Sequence, residues 1–351
     1  MSKDVGKILY LSGAIEPHRE GISKEVFTLH NHFKSSYVLG TSPDGRFMHS
    51  QAERYFGIPS RLLPTLRYLV PFVAKTFKLI HIFHGIDCYH YLKAKGGKPV
   101  ILTAISVDHV LSTDHYKKVR TVVVESSRDR EKLIAHGFEP NKVVVIYPGT
   151  DLSIFNDTVP PPEGRFRILF ASSPFSLEYM EPRGVRLLLE AAKIKSDVEF
   201  VLLWRKRGDT LNLLQQWISE LSLTNVRVIH EDIEHMNRMF VDSHATIVPF
   251  TSEKNTKSCP NSAVESLATG RPVLVSGEVG IADVIQSEQC GVVFQPDAAS
   301  LGGAITLLQQ EYASFQKYAR TCANRHFDEK VFLSSYERLY STVELTTRSA
   351  V

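Results

Sequence analysis

The chain has 351 residues, 43% hydrophobic and 23% charged, enough apolar material for about two domains of ordinary globular composition. Its formal net charge, 41 cations minus 38 anions or +3, is too weak to imply a nucleic-acid partner. Four scattered cysteines (Cys88, Cys259, Cys290, Cys322) without a CxxC pair argue against a disulfide framework or a zinc site and for a reducing, cytoplasmic setting, and no stretch approaches the ~20 apolar residues of a membrane span.

The opening MSKDVGKILYLSG reads as a first strand rather than a signal peptide. It leads into GISKEVFTLHNHF, whose Ile22, Val26, Leu29 and Phe33 fall at helical spacing. The intervening loop brings Gly21 to a helix N-terminus, where free N–H groups and the dipole suit an anion, although it is neither a GxGxxG nor a GK[ST] loop. After the strand SYVLGT comes SRLLPTLRYLVPFVAKTFK, residues 60–78, which mixes Arg61, Arg67, Lys75 and Lys78 with Leu, Val and Phe. One reading lays this segment on the anionic cytoplasmic face of a membrane as a peripheral contact. The other makes it core helix with snorkelling cations.

LIHIFHG, PVILTAIS, TVVVESS and KVVVIYPG follow, with the helix SRDREKLIAHG among them. Val/Ile runs without alternation mark strands buried on both faces, as in a parallel sheet covered by helices, so the class is α/β. DTVPPPEGR, residues 157–165, interrupts the pattern as a stiff linker. Strand–helix alternation then restarts from FRILFASS to GVVFQP. The expected organisation is a Rossmann-like domain at 1–157, a proline hinge at 158–164, a second Rossmann-like domain at 165–325, and a terminal helical segment, 326–351, packing back across the hinge.

Parallel sheets bind ligands beyond the carboxyl ends of their strands. Arg205, Lys206 and Arg207 follow the strand VEFVLL, and Arg183 precedes the helix GVRLLLEAA, where a cation opposes the dipole unless an anion sits between them. CPNSAVESLATGRPVLVS encodes a short helix that Asn261 or Ser262 can cap, that Gly270 can end, and after which Pro272 bars continuation. Glu265 lies near its start and is either a dipole-complementing acid or an acceptor for two sugar hydroxyls. His81 and His84 flank the end of LIHIFHG, so one is a candidate base or donor, whereas His136 and His244 read as structural. No HExxH motif or strand-end DxD pair supports a metal site.

VVVESSRDREKLIAHGFEPNKVVVIYPGTDLSIF and NSAVESLATGRPVLVSGEVGIADVI resemble the corresponding segments of family 4 glycosyltransferases, also called glycosyltransferase group 1. The resemblance implies a GT-B fold with two facing Rossmann-like domains. It implies a retaining, metal-independent enzyme that moves a sugar from a nucleotide-sugar donor to a glycan, lipid-linked or small-molecule acceptor, with no cofactor. Glu265 resembles the second glutamate of the family's Glu-x7-Glu motif, which holds the ribose. Arg183 resembles the cation on the donor diphosphate, Gly280 and Ile281 match the glycine-rich loop near the sugar, and Gly21 matches part of the N-domain glycine loop. Departures are specific. The residue eight before Glu265 is Lys257, and Glu253 takes the place of the first glutamate only if the loop is longer. Ser172-Ser173 replaces a Gly-Arg pair, which leaves Arg205 or Arg207 to compensate. Ile105 stands near a histidine position that Asp108 or His109 would have to fill. With Glu253, His84 and Asp108 as the catalytic candidates, the alternative is a member that binds nucleotide sugars, or serves an active partner, without catalysis.

Overall fold

The computed structural model describes residues 7–16, 21–42, 44–94, 97–155, 159–206, 209–231, 233–254 and 256–348, with the side chains of 344–348 left out. The chain divides into two compact units, 1–149 with 330–351 and 150–329.

The first unit carries β1 (Ile8–Ser12), β2 (Ser36–Ser42), β3 (Met48–Ser50), β4 (Tyr55–Pro59), β5 (Leu79–His84), β6 (Val100–Ala104), β7 (Val119–Val124) and β8 (Val143–Val145) in the order β3-β4-β2-β1-β5-β6-β7-β8. All neighbours are parallel except β3 and β4, an antiparallel pair at one edge that the uniform parallel expectation did not contain. Its helices are α1 (Gly21–His32), α2 (Leu66–Val73), α3 (Tyr89–Lys93) and α4 (Ser127–Ala135). Because successive strand residues face opposite sides, β1 sends Leu9 and Leu11 into one apolar layer and Ile8 and Tyr10 into the other. Helix α2 buries Leu66, Val70 and Ala74 beyond it in the first layer, so part of the 60–78 segment is core, while its cations Arg61, Arg67, Lys75 and Lys78 are exposed.

The second unit carries β9 (Arg167–Phe170), β10 (Glu199–Leu203), β11 (Val226–Ile229), β12 (Ala245–Val248), β13 (Val273–Ser276) and β14 (Gly291–Phe294) in the order β11-β10-β9-β12-β13-β14, every pair parallel. Its helices are α5 (Val185–Ile194), α6 (Thr210–Glu220), α7 (Met236–Val241), α8 (Asn261–Ala268), α9 (Ala282–Ser287), α10 (Ala298–Gln310) and α11 (Tyr312–Cys322). Gly270 ends α8 as expected: its φ of +69° reverses the chain, and the Arg271 N–H returns to the Ser266 carbonyl.

The prolines 160–162 belong to the second unit, so the division falls before Thr150 instead of at the linker expected over 158–164. Arg271 explains this attachment. Its side chain is wholly buried and donates from Nε to the Ser243 carbonyl and from Nη2 to the carbonyls of Val159, Pro160 and Val241. Arg320 likewise holds Leu152 and Phe155 by their carbonyls, and Thr150 bridges to Asp328.

The long terminal helix α12 (Glu329–Arg348) completes the first unit. Phe332, Tyr336, Tyr340 and Val343 join the Ile8/Tyr10 layer. There the buried His81 ring hydrogen-bonds Tyr340 Oη at 2.6 Å and Thr103 Oγ1 at 2.8 Å, and Thr103 bonds Tyr336 Oη at 2.8 Å. His81 is therefore a satisfied core histidine. So is His244, whose Nδ1 accepts from the Arg167 N–H at 3.0 Å while its ring stacks on Phe166. The four cysteines are buried and none is in a disulfide.

Burial pushes the His81 imidazole well below its usual range and His244 down to about 4. Unfolded histidine titrates near 6.5, so the unfolded chain binds protons first as pH falls. Stability present above about pH 6.5 is therefore lost towards pH 4, each histidine contributing up to about 1.4 kcal/mol per pH unit. Urea midpoints should fall measurably between pH 7.5 and pH 5, above the range where carboxylates protonate. An unchanged midpoint would contradict this account.

Candidate active site at the strand ends

In each sheet the strand order reverses once, which opens a crevice at the carboxyl ends of the two strands that flank the reversal. In the second unit those strands are β9 and β12. Ser172, just beyond β9, and Ser262, in the first turn of α8, close this gap with an Oγ–Oγ hydrogen bond of 3.0 Å. The Arg183 guanidinium joins them, donating from Nη1 to the Ser172 carbonyl at 3.3 Å and lying over the Phe250 ring at 5.5 Å.

Arg183 is held by its neighbours. Gly184 has φ +68° and a Cβ there would lie 1.7 Å from the Pro249 carbonyl oxygen, so only glycine permits this approach. The Thr251 N–H bonds the Pro182 carbonyl and Thr251 Oγ1 bonds the Glu181 carbonyl, zipping the loop before α5 to the loop after β12.

Helix α8 starts after Pro260, which is its N-cap and offers no side-chain cap. Asn261 and Ser262, expected to cap it, are instead its first two helical residues. Their side chains bond elsewhere: Asn261 Oδ1 accepts from Lys257 Nζ at 2.8 Å and the buried Ser262 meets Ser172. An uncapped helix end beside Arg183 presents N–H donors and positive potential together, the combination that suits a diphosphate. Glu265, expected near the helix start, lies in the second turn, one turn below Asn261 on the same face, and is only 8% exposed.

Glu253 sits half-buried in the loop between β12 and α8, where its carbonyl accepts from the Thr256 N–H and hydroxyl. Gly280 and Ile281 lie in the β13–α9 loop. The Ile281 side chain is wholly buried, so only backbone at that position can meet a ligand. Arg205 and Lys206 are exposed beyond β10, with the Arg205 N–H bonded to Ser173 Oγ, and Arg207 lies outside the described residues. Beside them a cavity of about 370 Å³ is lined by Lys206, Asp209, Leu211, Asn212 and His230. His230 is fixed there through the Trp204 carbonyl, 3.1 Å from its Nδ1.

In the first unit the reversal falls between β1 and β5, and His84 stands there at the end of β5. Gly13 follows β1 with its N–H on the Phe83 carbonyl, and a Cβ on Gly13 would lie 2.8 Å from the His84 ring. His84 Nδ1 meets the Gly85 carbonyl at 3.3 Å, Asp87 Oδ1 lies 3.9 Å away, and burial lowers the imidazole below its ordinary range. Strand parity separates His84 from His81, which points into the opposite layer. Ile105 and Asp108 lie half-buried in the loop after the neighbouring β6, with the Ile105 N–H on the His84 carbonyl, while His109 is exposed. Gly21 opens α1, whose Ser23 accepts from the Glu16 N–H and donates to the Ala14 carbonyl.

The structure thus gathers Arg183, Lys257, Asn261, Ser262 and Glu265 around one helix end. Arg205 and Lys206 stand two strands from β12, Gly280 and Ile281 beyond β13, and His84, Asp108 and Gly21 belong to the other unit. Sequence reasoning missed Gly13 and His230, though both lie at strand ends, the signal that would have found them; it read Ser172 only as the loss of a cation and gave no role to Gly184, the N-cap of α5. Among the described residues no three His, Cys, Asp or Glu side chains group to hold a metal ion.

Gly184→Ala should lower stability by at least about 2 kcal/mol through left-handed strain and the Pro249 overlap, read as a fall in Tm. Gly303→Ala is the control: that glycine lies within α10 with open space at its Cβ, so the change should be neutral or slightly stabilising. Equal effects at both sites would refute the assigned constraint.

Residues 165–311 match a family model described as glycosyl transferases group 1. No curated protein matches the chain. Similar solved structures include HepE from Anabaena in complex with UDP-glucose, with TM-score 0.78, 15% identity, and 96% of this chain and 100% of that chain covered. Sucrose-phosphate synthase from Thermosynechococcus elongatus gives 0.77, 17%, 97% and 100%, and a glycosyltransferase from Rickettsia africae gives 0.76, 15%, 96% and 98%. Identities this low speak for fold. The chain has the GT-B fold, and its residues 165–311 match the group 1 glycosyl transferases.

Proposed function

We propose that the protein is a retaining, metal-independent glycosyltransferase that takes a nucleotide-sugar donor in its second unit. The carrying observation is the uncapped end of α8 at the β9/β12 reversal, with Arg183, Ser172 and Ser262 in contact and Glu265 one turn below. In this reading the α8 N–H groups and Arg183 neutralise the donor diphosphate and stabilise it as leaving group, which is electrostatic catalysis. Glu265 accepts from the ribose hydroxyls, and the cavity beside Lys206 and His230 has the polar rim that a nucleobase needs. HepE, which has the same fold, was solved with UDP-glucose, and this favours UDP among the candidate nucleotides. His84 serves the acceptor side: an imidazole kept neutral by burial is a competent proton acceptor. The acceptor is a glycan, a lipid-linked sugar or a small hydroxyl compound.

A second reading has two specific supports, Ile105 beside His84 and Ser172-Ser173 beside α8. These put apolar and neutral groups where the family resemblance implies a histidine and an arginine. It makes the protein a nucleotide-sugar binder without turnover.

Thermal-shift titration with UDP, GDP and ADP should show one nucleotide raising Tm in a concentration-dependent manner. Arg183→Ala should weaken that nucleotide about 10- to 100-fold, the range for one charge-assisted contact. Glu265→Gln should weaken the nucleoside as well as the nucleotide. His84→Ala should cut transfer of radiolabelled sugar to acceptor extract while leaving nucleotide affinity unchanged. No response to any nucleotide would end the donor assignment; binding without transfer would establish the second reading.

A further inference from the structure

The α2 segment carries a feature that sugar transfer does not use. From Arg54 to Ile86 the chain has no Asp or Glu but has Arg54, Arg61, Arg67, Lys75 and Lys78. A helix on a globular surface normally turns a polar face to water once its apolar stripe is buried. Helix α2 buries Leu66, Val70 and Ala74, yet its outer side is also apolar. Tyr68 is 61% exposed, Leu69 51%, Phe72 71% and Val73 43%. The pairs 68/72 and 69/73 are one helical turn apart, so these side chains form one outward stripe. Cations accompany it: the Arg67 guanidinium lies 4.6 Å over the Tyr68 ring and the Lys75 ammonium 5.5 Å over the Phe72 ring.

We infer that this face of α2 is a docking surface for an anionic lipid bilayer. An apolar stripe in a segment whose charged side chains are all cations fits the boundary between acyl chains and negatively charged headgroups, with Leu69, Phe72 and Val73 entering and Arg67, Lys75 and Lys78 on the phosphates. Tyr68 combines an apolar ring with a polar tip, the side-chain type that accumulates at that boundary. A second copy of the chain suits the patch less. A twofold contact places each patch on its own image, so Arg67 and Lys75 would meet like charges, and residues 54–86 supply no carboxylate to offset them. No helix among the described residues is long and apolar enough to cross a membrane, so attachment through this face is peripheral and reversible. The inference is independent of the transferase reading and needs neither donor nor acceptor.

Co-sedimentation of the full chain with vesicles tests it. The chain should partition onto phosphatidylcholine vesicles containing phosphatidylglycerol, release in high salt, and ignore phosphatidylcholine alone. Leu69→Ser with Phe72→Ser should abolish partition. Arg67→Gln with Lys75→Gln and Lys78→Gln should reduce it roughly 100-fold, at about fivefold per cation near the surface. All five side chains are exposed, so Tm should stay at the wild-type value, which separates lost binding from unfolding. Failure of the wild type to partition, or unchanged partition of either variant, overturns the inference. So does a dimer in analytical ultracentrifugation that Phe72→Ser dissociates while vesicles are ignored, which would assign the face to a second copy.

Discussion

The reversal of strand order between β9 and β12 is the constraint on which the second unit's chemistry depends. A parallel sheet wound in one direction leaves its strand ends covered by crossing connections. When the winding turns back, two adjacent connections leave in opposite directions and a gap opens between them. Here the gap receives the end of α8 and the turn before α5. The Gly184 approach to the Pro249 carbonyl is what allows those connections to come close enough for Ser172, Ser262 and Arg183 to touch. Any residue with a side chain at 184 would force the two loops apart.

Electrostatics follow from the same placement. An uncapped helix N-terminus and an arginine side by side repel each other weakly when nothing negative lies near. Lys257 adds a third positive group through Asn261. At the first unit's own reversal stands one half-buried imidazole, His84, with the Asp87 carboxylate 3.9 Å away.

Much of this was legible in the sequence because Val/Ile runs and helical spacing are repeated signals that packing rarely overrides. Both parallel sheets, the α8–β13 unit and the position of Arg183 came through. The β3–β4 pair did not, since MHS and YFGIP are short and mixed in polarity. The unit boundary was misplaced because prolines signal stiffness but not what they are bonded to, and the buried Arg271 that holds them reads locally as one more polar residue after a helix. Ile281 matched a motif by position while its side chain turned inward. Ser172 was read as the loss of a cation, whereas its contact with Ser262 is ninety residues away in sequence and no local pattern reports it.

The terminal helix α12 gives the first unit an unusual timetable. Its sheet is made from the first 149 residues, but the layer over Ile8, Tyr10 and His81 is closed by Phe332, Tyr336 and Tyr340. During synthesis the nascent first unit therefore holds His81 and Thr103 without their tyrosine partners while the whole of the second unit is still being made. Buried polar groups in that state need water or another partner. The later-made unit thus closes its core before the earlier-made one, and the intermediate with an open apolar layer is the species most exposed to aggregation or to chaperone capture.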